Sequence, residues 1–157
     1  HTRFKCDWSS DVCSSDLNAQ LGCVLGWQAD QRFGEQELGF AAPAAFADAA
    51  DLAAHVRAAL GRSVTLVAPE GERPIRRVAW CTGGAQGFFE SAIAAGADAF
   101  ITGEISEPQT HLARETGVAF IAAGHHATER YGAPAVAAHA ARQLGLEHQF
   151  IDIDNPA

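Results

Sequence analysis

The sequence lacks several features that would point to common classes of protein. It has no methionine, one lysine (Lys5), and 11 basic residues against 19 acidic ones, which gives a formal net charge of -8. Proteins that bind nucleic acid non-specifically need basic surface to displace counterions, so nucleic acid is not an expected partner. The longest apolar runs, such as residues 119–123, are far too short to span a membrane, and no membrane partner is expected either.

The cysteine spacings and the N-terminus exclude further classes. The four cysteines fit neither a zinc ribbon nor a CxxC redox motif. The N-terminus has no apolar core of the kind found in signal peptides, so we expect a cytoplasmic protein. Hydrophobic residues make up 48% and charged residues 19% of the chain, which is a globular composition. With 157 residues, the chain is long enough for one ordinary domain.

Residues 1–17 differ in composition from the rest of the chain. They are rich in Ser, Asp and Cys and show no hydrophobic period, whereas the remainder is rich in alanine. Residues 7–17 can be back-translated into a common sequencing adaptor read in frame. We therefore predict a non-native leader over residues 1–17, and native sequence over residues 18–157. A natural gene that runs through this segment would contradict the hypothesis.

From residue 75 onward, apolar strands alternate with helical segments. Strands are predicted over residues 78–81, 99–101, 118–122 and 149–153, and helices over 86–95, 108–115 and 125–144. Upstream, the pattern predicts helices at 18–25 and 47–60 and strands at 33–40 and 64–67. Alternation of this kind is typical of βαβ crossovers, and continuous apolar strands are typical of a sheet covered on both faces. The sequence thus predicts an α/β fold with a mostly parallel sheet and flanking helices.

Three consecutive predicted strands end in glycine turns that carry polar groups: Thr82-Gly83-Gly84, Thr102-Gly103-Glu104 and Gly124-His125-His126. Ligands bind beyond the carboxyl ends of the strands in open α/β sheets. One glycine turn is a weak indication, because many such loops use glycine simply to turn. Three such turns after consecutive strands, which together carry a Glu and two His, indicate a functional site.

His125 and Glu129 are the strongest candidates for metal ligands. A spacing of four places both on one face of a helix that begins near His125. An imidazole beside a carboxylate is a suitable half-site for zinc, iron or manganese. The same spacing also fits a plain helix start whose acid offsets the helix dipole. A transition metal takes about four ligands, and no other residue of this sequence clearly completes the set. Further ligands are therefore expected from outside this sequence.

Three other residues are candidates for catalytic or substrate-contacting roles. Glu104 follows the second of the three strands, although a carboxylate there is also favoured by the helix dipole alone. His111 lies one to two turns into the next helix, where a lone histidine is commonly a surface or packing residue. His126 is a candidate for supporting the metal ligands, for contacting substrate, or for a simple surface position.

Four segments of the chain carry a resemblance to a known family. They are WCTGGAQGF (80–88), DAFITGEISE (98–107), AAGHHATER (122–130) and FIDIDNP (150–156). In content and order they closely resemble the NIF-three-like dinuclear metal family, whose members are often labelled GTP cyclohydrolase 1 type 2 homologues. The resemblance covers about residues 18–157, and it identifies them as a C-terminal fragment of such a protein.

The resemblance implies a fold of two similar halves with a pair of divalent metal ions (zinc, iron or manganese) between them, and assembly into a ring-shaped homohexamer. The family's Gly-His-x-x-x-Glu motif maps onto His125 and Glu129, which are two of five expected ligands. The other three, a His-His pair and an Asp, belong to an N-terminal half that this sequence does not contain. No ligand role is carried onto Asp11 or Asp16.

Two functions are compatible with the resemblance. The first is a metal-dependent hydrolase that acts on a small anionic or nucleotide substrate such as GTP, with Glu104, His111 and His126 as candidate catalytic residues. The second is a non-catalytic, metal-dependent ring that serves as a scaffold or regulatory protein. With two of five ligands, the fragment itself is expected to lose tight dinuclear binding and activity.

Overall fold

A computed structural model describes residues 16–157 of the chain. Its helices are α1 (Leu17–Leu25), α2 (Ala49–Leu60), α3 (Phe89–Ala94), α4 (Glu107–Thr116), α5 (His125–Glu129) and α6 (Gly132–Leu144). Its strands are β1 (Gln31–Phe33), β2 (Gly39–Phe46), β3 (Thr65–Val67), β4 (Ile75–Trp80), β5 (Ala99–Thr102) and β6 (Ala119–Ala122). The predicted leader, apart from Asp16 and Leu17, lies outside the described residues.

The described strands form one sheet in the order β1-β2-β4-β5-β6-β3. The pairs β4–β5 and β5–β6 are parallel. The pairs β1–β2, β2–β4 and β3–β6 are antiparallel. The α/β class is therefore confirmed, but the prediction of a mostly parallel sheet is wrong. The βαβ pattern governs the three central strands, whereas the outer strands join them in the opposite direction.

Alternate residues of the central strands face two separate apolar cores. Ile101 and Ile121 pack with α1 and α2 on one side of the sheet. Phe100 and Phe120 pack with Phe89 of α3 on the other side, where the centroids of the Phe89 and Phe120 rings are 5.0 Å apart. Because helices cover both faces, β5 and β6 are buried at every position, as their continuous apolar sequences predict.

Helix α2 forms as its sequence predicts. Asp48 caps it by accepting a hydrogen bond from the backbone N–H of Asp51 at 2.8 Å. Its buried stripe contains Leu52, Val56 and Leu60, spaced four residues apart. This stripe closes the core against α1, so local sequence signals are enough to explain this part of the fold.

Three predictions about individual elements are wrong. The strand predicted over 33–40 does not form as one piece: β1 ends at Phe33, and β2 runs from Gly39 to Phe46 with a shift in register. The predicted helix over 125–144 is two helices, α5 and α6. Residues 149–153, predicted as a strand, form no regular structure and pair with no strand of the described region. None of the described helices is long and apolar enough to cross a membrane.

Candidate functional site

The turns that follow β4, β5 and β6 lie side by side, because these three strands are parallel neighbours. The backbone N–H of Gly103 donates to the carbonyl oxygen of Gly83 at 2.9 Å, and that of Gly124 donates to the carbonyl oxygen of Gly103 at 2.9 Å. The hydrogen bonds of the sheet thus continue into the turns. Polar groups that are about twenty residues apart in sequence meet at one edge.

Glycine is required where these turns cross. A Cβ atom on Gly103 would lie 2.6 Å from the carbonyl oxygen of Gly83 and 2.6 Å from the Cα of His125. Gly83 has a φ of 69°, and a Cβ atom there would overlap the carboxylate of Glu129. The turns at Gly83 and Gly103 therefore pack directly against the candidate ligands Glu129 and His125.

Two buried threonines hold the Gly83 turn, and sequence reasoning missed both. The hydroxyl of Thr102 donates to the Gly83 carbonyl oxygen at 3.0 Å and accepts from the Ala85 N–H at 3.3 Å. The hydroxyl of Thr128 accepts from the Gly83 N–H at 3.0 Å and lies 2.9 Å from the carbonyl oxygen of His125. Thr102 ends the apolar segment of β5, which indicates burial but names no partner, whereas Thr128 lies in the polar segment of α5 and carries no such signal.

Asn18 supports the same turn from α1. Its side-chain oxygen accepts from the backbone N–H of Thr82 at 2.7 Å, and its amide donates to the carbonyl oxygen of Leu38 at 2.9 Å. Burial raises the pKa of the neighbouring Cys81 thiol to about 11. Cys81 therefore stays protonated near neutral pH and is not poised as a nucleophile.

His125 lies between two carboxylates. Its Nδ1 is 2.6 Å from Oε1 of Glu104, and its Nε2 is 3.3 Å from Oε2 of Glu129. The hydrogen bond between His125 and Glu104 raises the pKa of the histidine and lowers the pKa of the carboxyl group. A neutral His125 that donates from Nδ1 turns its Nε2 lone pair toward the Glu129 carboxylate. A proton or a cation between these two atoms would remove the resulting repulsion.

The other two histidines have different surroundings. Nε2 of His126 is buried without a hydrogen-bond partner, and it lies 3.7 Å from Oδ1 of Asp152, beyond hydrogen-bonding distance. His111 is exposed on α4 and does not line the cleft that contains His125. The structure thus brings His126 and Glu104 to the candidate ligands and leaves His111 outside.

The site is an open cleft of about 330 Å³, lined by Glu104, His125, His126, Glu129, Arg130, Asn155 and Ala157. This volume is within the usual range for small-molecule sites. The last residues of the chain form one wall, which sequence reasoning missed because it assigned residues 149–153 to a strand. Within residues 16–157, no group of three or more His, Cys, Asp or Glu side chains is arranged to hold a metal ion.

Replacing Glu104 with glutamine should lower the pKa of His125 toward its ordinary value of 6.5, because an amide carries no negative charge. NMR titration of the metal-free chain from about pH 5 to about 9 would measure this shift. The replacement of Glu107, which is exposed in the first turn of α4, is the matched control. An unchanged His125 pKa in the Glu104→Gln variant would contradict the assigned contact.

The contribution of this contact to stability depends on pH with a definite sign. Since folding raises the pKa of His125, its stabilisation is complete below 6.5 and is lost as the pH rises through the folded value. Since folding lowers the pKa of Glu104, its stabilisation is present above 4.5 and is lost as the pH falls through the folded value. The pair therefore stabilises the fold best at mildly acidic pH.

Similar proteins are known from several bacteria. The chain is 59% identical over 108 residues to a GTP cyclohydrolase 1 type 2 homolog of Pseudomonas aeruginosa, covering 69% of this chain and 42% of that protein. It is 54% identical over 143 residues to the protein so named in Neisseria meningitidis serogroup A, covering 89% of this chain and 56% of that protein. The chain thus spans about half the length of the curated relatives it matches.

A similar fold has also been solved experimentally. A structure described as protein ybgI, of unknown function, superposes with a TM-score of 0.83 at 43% sequence identity. The superposition covers 90% of this chain and 57% of that one. Over residues 8–156, the sequence matches the family described as Duf34/NIF3 (NGG1p interacting factor 3). The predicted resemblance is therefore confirmed, and the chain belongs to the Duf34/NIF3 family.

Proposed function

We propose that this chain is the C-terminal part of a metal-dependent hydrolase that acts on a small anionic or nucleotide substrate. The observation that carries the proposal is the donor pair in the cleft, with His125 Nε2 and Glu129 Oε2 3.3 Å apart. The ligand atoms of a tetrahedral ion with bonds of about 2.0–2.1 Å are separated by about 3.3 Å. An imidazole nitrogen with a carboxylate oxygen suits zinc, iron or manganese.

In this proposal, His125 and Glu129 hold metal, and Glu104 acts through His125. By accepting the proton of His125 Nδ1 at 2.6 Å, Glu104 fixes the tautomer that leaves Nε2 free and makes the imidazole a stronger donor. A bound metal pair supplies a water of lowered pKa and stabilises a developing oxyanion. The buried threonines and the glycine turns keep both donors in place.

The described donors are fewer than such a centre requires. A transition metal takes about four ligands, and His125 and Glu129 provide two. Because the chain spans about half the length of these relatives, we infer that the remaining ligands of a two-ion centre come from the part of the relatives that this chain does not match. Assembly into a homohexamer and a cytoplasmic location are further proposals, which rest on the family resemblance.

The names of the relatives suggest GTP as the first substrate to test. We would join residues 18–157 to the N-terminal part of the Neisseria relative, load the protein with zinc or manganese, and measure formate and phosphate released from GTP. Turnover should fall at least about 100-fold in the Glu129→Gln variant and persist in His139→Ala, whose histidine is exposed on α6. A protein that binds two ions but releases neither product would favour the non-catalytic scaffold.

A further inference from the structure

The C-terminal tail, residues 146–157, is held at the cleft by cationic side chains. Nη1 of Arg130 donates to Oδ2 of Asp152 at 2.9 Å. At the far end of the tail, Arg62 donates to the carbonyl oxygens of Pro156 and Ala157, each at 3.0 Å. In this arrangement, oxygen atoms of the tail accept hydrogen bonds from the two arginines beside the candidate site.

Apolar packing contributes little to the attachment of the tail. Phe150, Ile151 and Ile153 are 47%, 71% and 74% exposed. The side chains of Arg130 and Asp152 are 29% and 45% exposed, and an ion pair with this much contact with water holds its partners weakly. The contact between Arg130 and Asp152 is therefore one that a competing anion can replace.

The carboxylate of Asp152 bonds to Arg130 but does not reach the neighbouring His126. One oxygen of Asp152 bonds to Arg130, and the other stops 3.7 Å from His126 Nε2, which is buried and has no hydrogen-bond partner. A buried nitrogen without a partner is costly. A phosphate group offers more acceptor oxygens than a carboxylate and can satisfy both nitrogens at once.

We propose that Arg130 and His126 form an anion subsite for a phosphate group of the ligand, and that Asp152 occupies this subsite in its absence. The inference rests on the proposed function in taking the ligand to be the anionic substrate of the cleft. Without metal, the carboxylates of Glu104 and Glu129 disfavour an anion elsewhere in the cleft. A phosphate group therefore binds on the side of the cleft that contains Arg130.

The subsite can be tested on the chain itself, free of metal and with a chelator present, by titrating inorganic pyrophosphate in a calorimeter. Asp152→Asn should bind pyrophosphate about two- to fivefold more tightly than the unmodified chain, since the competing charge is gone. Adding Arg130→Gln to this variant should weaken binding at least about tenfold. Asp154→Asn is the matched control, because Asp154 lies on the same tail and forms no ion pair within residues 16–157.

Backbone NMR relaxation gives a second readout that a general charge effect would not produce. Pyrophosphate should lower the heteronuclear NOE values of residues 149–154 in the unmodified chain, because it releases the tail, and should have no such effect in Arg130→Gln. Equal gains in affinity from Asp152→Asn and Asp154→Asn, or unchanged relaxation, would overturn the proposal. Either result would leave the donor pair of His125 and Glu129 untouched, whereas loss of metal binding alone would leave the anion subsite intact.

Discussion

Replacing His125 with alanine should lower the affinity of the purified chain for zinc at least tenfold, whereas replacing His139 should leave it unchanged. His125 Nε2 is one of two donors that converge in the cleft, 3.3 Å from Glu129 Oε2. His139 is exposed on α6 and does not line the cleft. A tenfold loss corresponds to about 1.4 kcal/mol, a modest value for removing one of two ligands. Competition with a chromophoric chelator would measure it.

Two further variants distinguish a metal ligand from a residue that only orients a metal ligand. Glu129→Gln should lose as much affinity as the His125 variant, because it removes the other donor. Glu104→Gln should lose less, since Glu104 contacts Nδ1 and affects the metal only through the ring. Equal affinity in all variants would show that zinc binds elsewhere on the chain.

The unmodified chain should hold fewer than two tightly bound ions when its metal content is measured after purification. The reason is the donor count, since two side chains supply half of the four ligands that one ion usually takes. Two retained ions per chain would mean that other groups complete the centre, and the inference of missing ligands would then be wrong.

The central strands could be predicted from the sequence because their signals are local. β5 and β6 are runs of apolar residues that end in a glycine turn, and such runs occur where a strand is covered on both faces. Strand direction is not contained in that signal. The apolar pattern of β2 or β3 reports burial, while its direction depends on which strand it pairs with and on the path of the chain between them. The antiparallel outer strands were therefore not predictable.

The C-terminal tail shows the opposite failure, in which a good local signal does not give the structure. Phe150, Ile151 and Ile153 favour a strand, yet a strand also needs a neighbour for its backbone hydrogen bonds. No strand of the described region pairs with this segment. Its position depends instead on long-range polar contacts, such as that between Arg130 and Asp152, which residue patterns do not reveal.

The candidate site also combines contacts that the sequence could predict with contacts that it could not. The proximity of His125 and Glu129 follows from one turn of helix and could be predicted from their spacing. The contact of Glu104 with His125 requires β5 and β6 to be neighbours, so the sequence could indicate the region but not the pairing. Thr102 and Thr128 could not be assigned, because their partner, Gly83, is distant from both in sequence.

Replacing Gly103 with alanine should lower the free energy of unfolding by about 1–3 kcal/mol, the usual cost of forcing a methyl group into a packed interior. The new Cβ atom would lie 2.6 Å from the carbonyl oxygen of Gly83 and from the Cα of His125, and 2.9 Å from the His125 nitrogen. All three are backbone atoms, so no side chain can rotate away to make room. Urea denaturation of the metal-free chain would measure the loss.

Gly87→Ala is the matched control for this substitution. Apart from its chain neighbours and the backbone of its own helical turn, a Cβ atom on Gly87 would meet no atom within 4 Å, and the Gly87 backbone is not left-handed. Alanine there should leave stability within about 1 kcal/mol of the unmodified chain, or raise it, because it restricts the unfolded state. Equal stability of the Gly103→Ala and Gly87→Ala variants would mean that the turns after β4 and β5 are not in contact.

The Gly103 substitution also connects the packing of the turns to metal binding. Its clash can be relieved only by moving the Gly83 turn or the start of α5, and the first of these lies against Glu129 while the second carries His125. Either movement disturbs the packing around one of the two donors, although both lie on the same turn of α5. Zinc affinity should therefore fall at least tenfold at a temperature where the variant remains folded. If stability fell while zinc affinity stayed constant, the donors would be positioned independently of the turns, and the buried contacts of Gly83 would serve the fold alone.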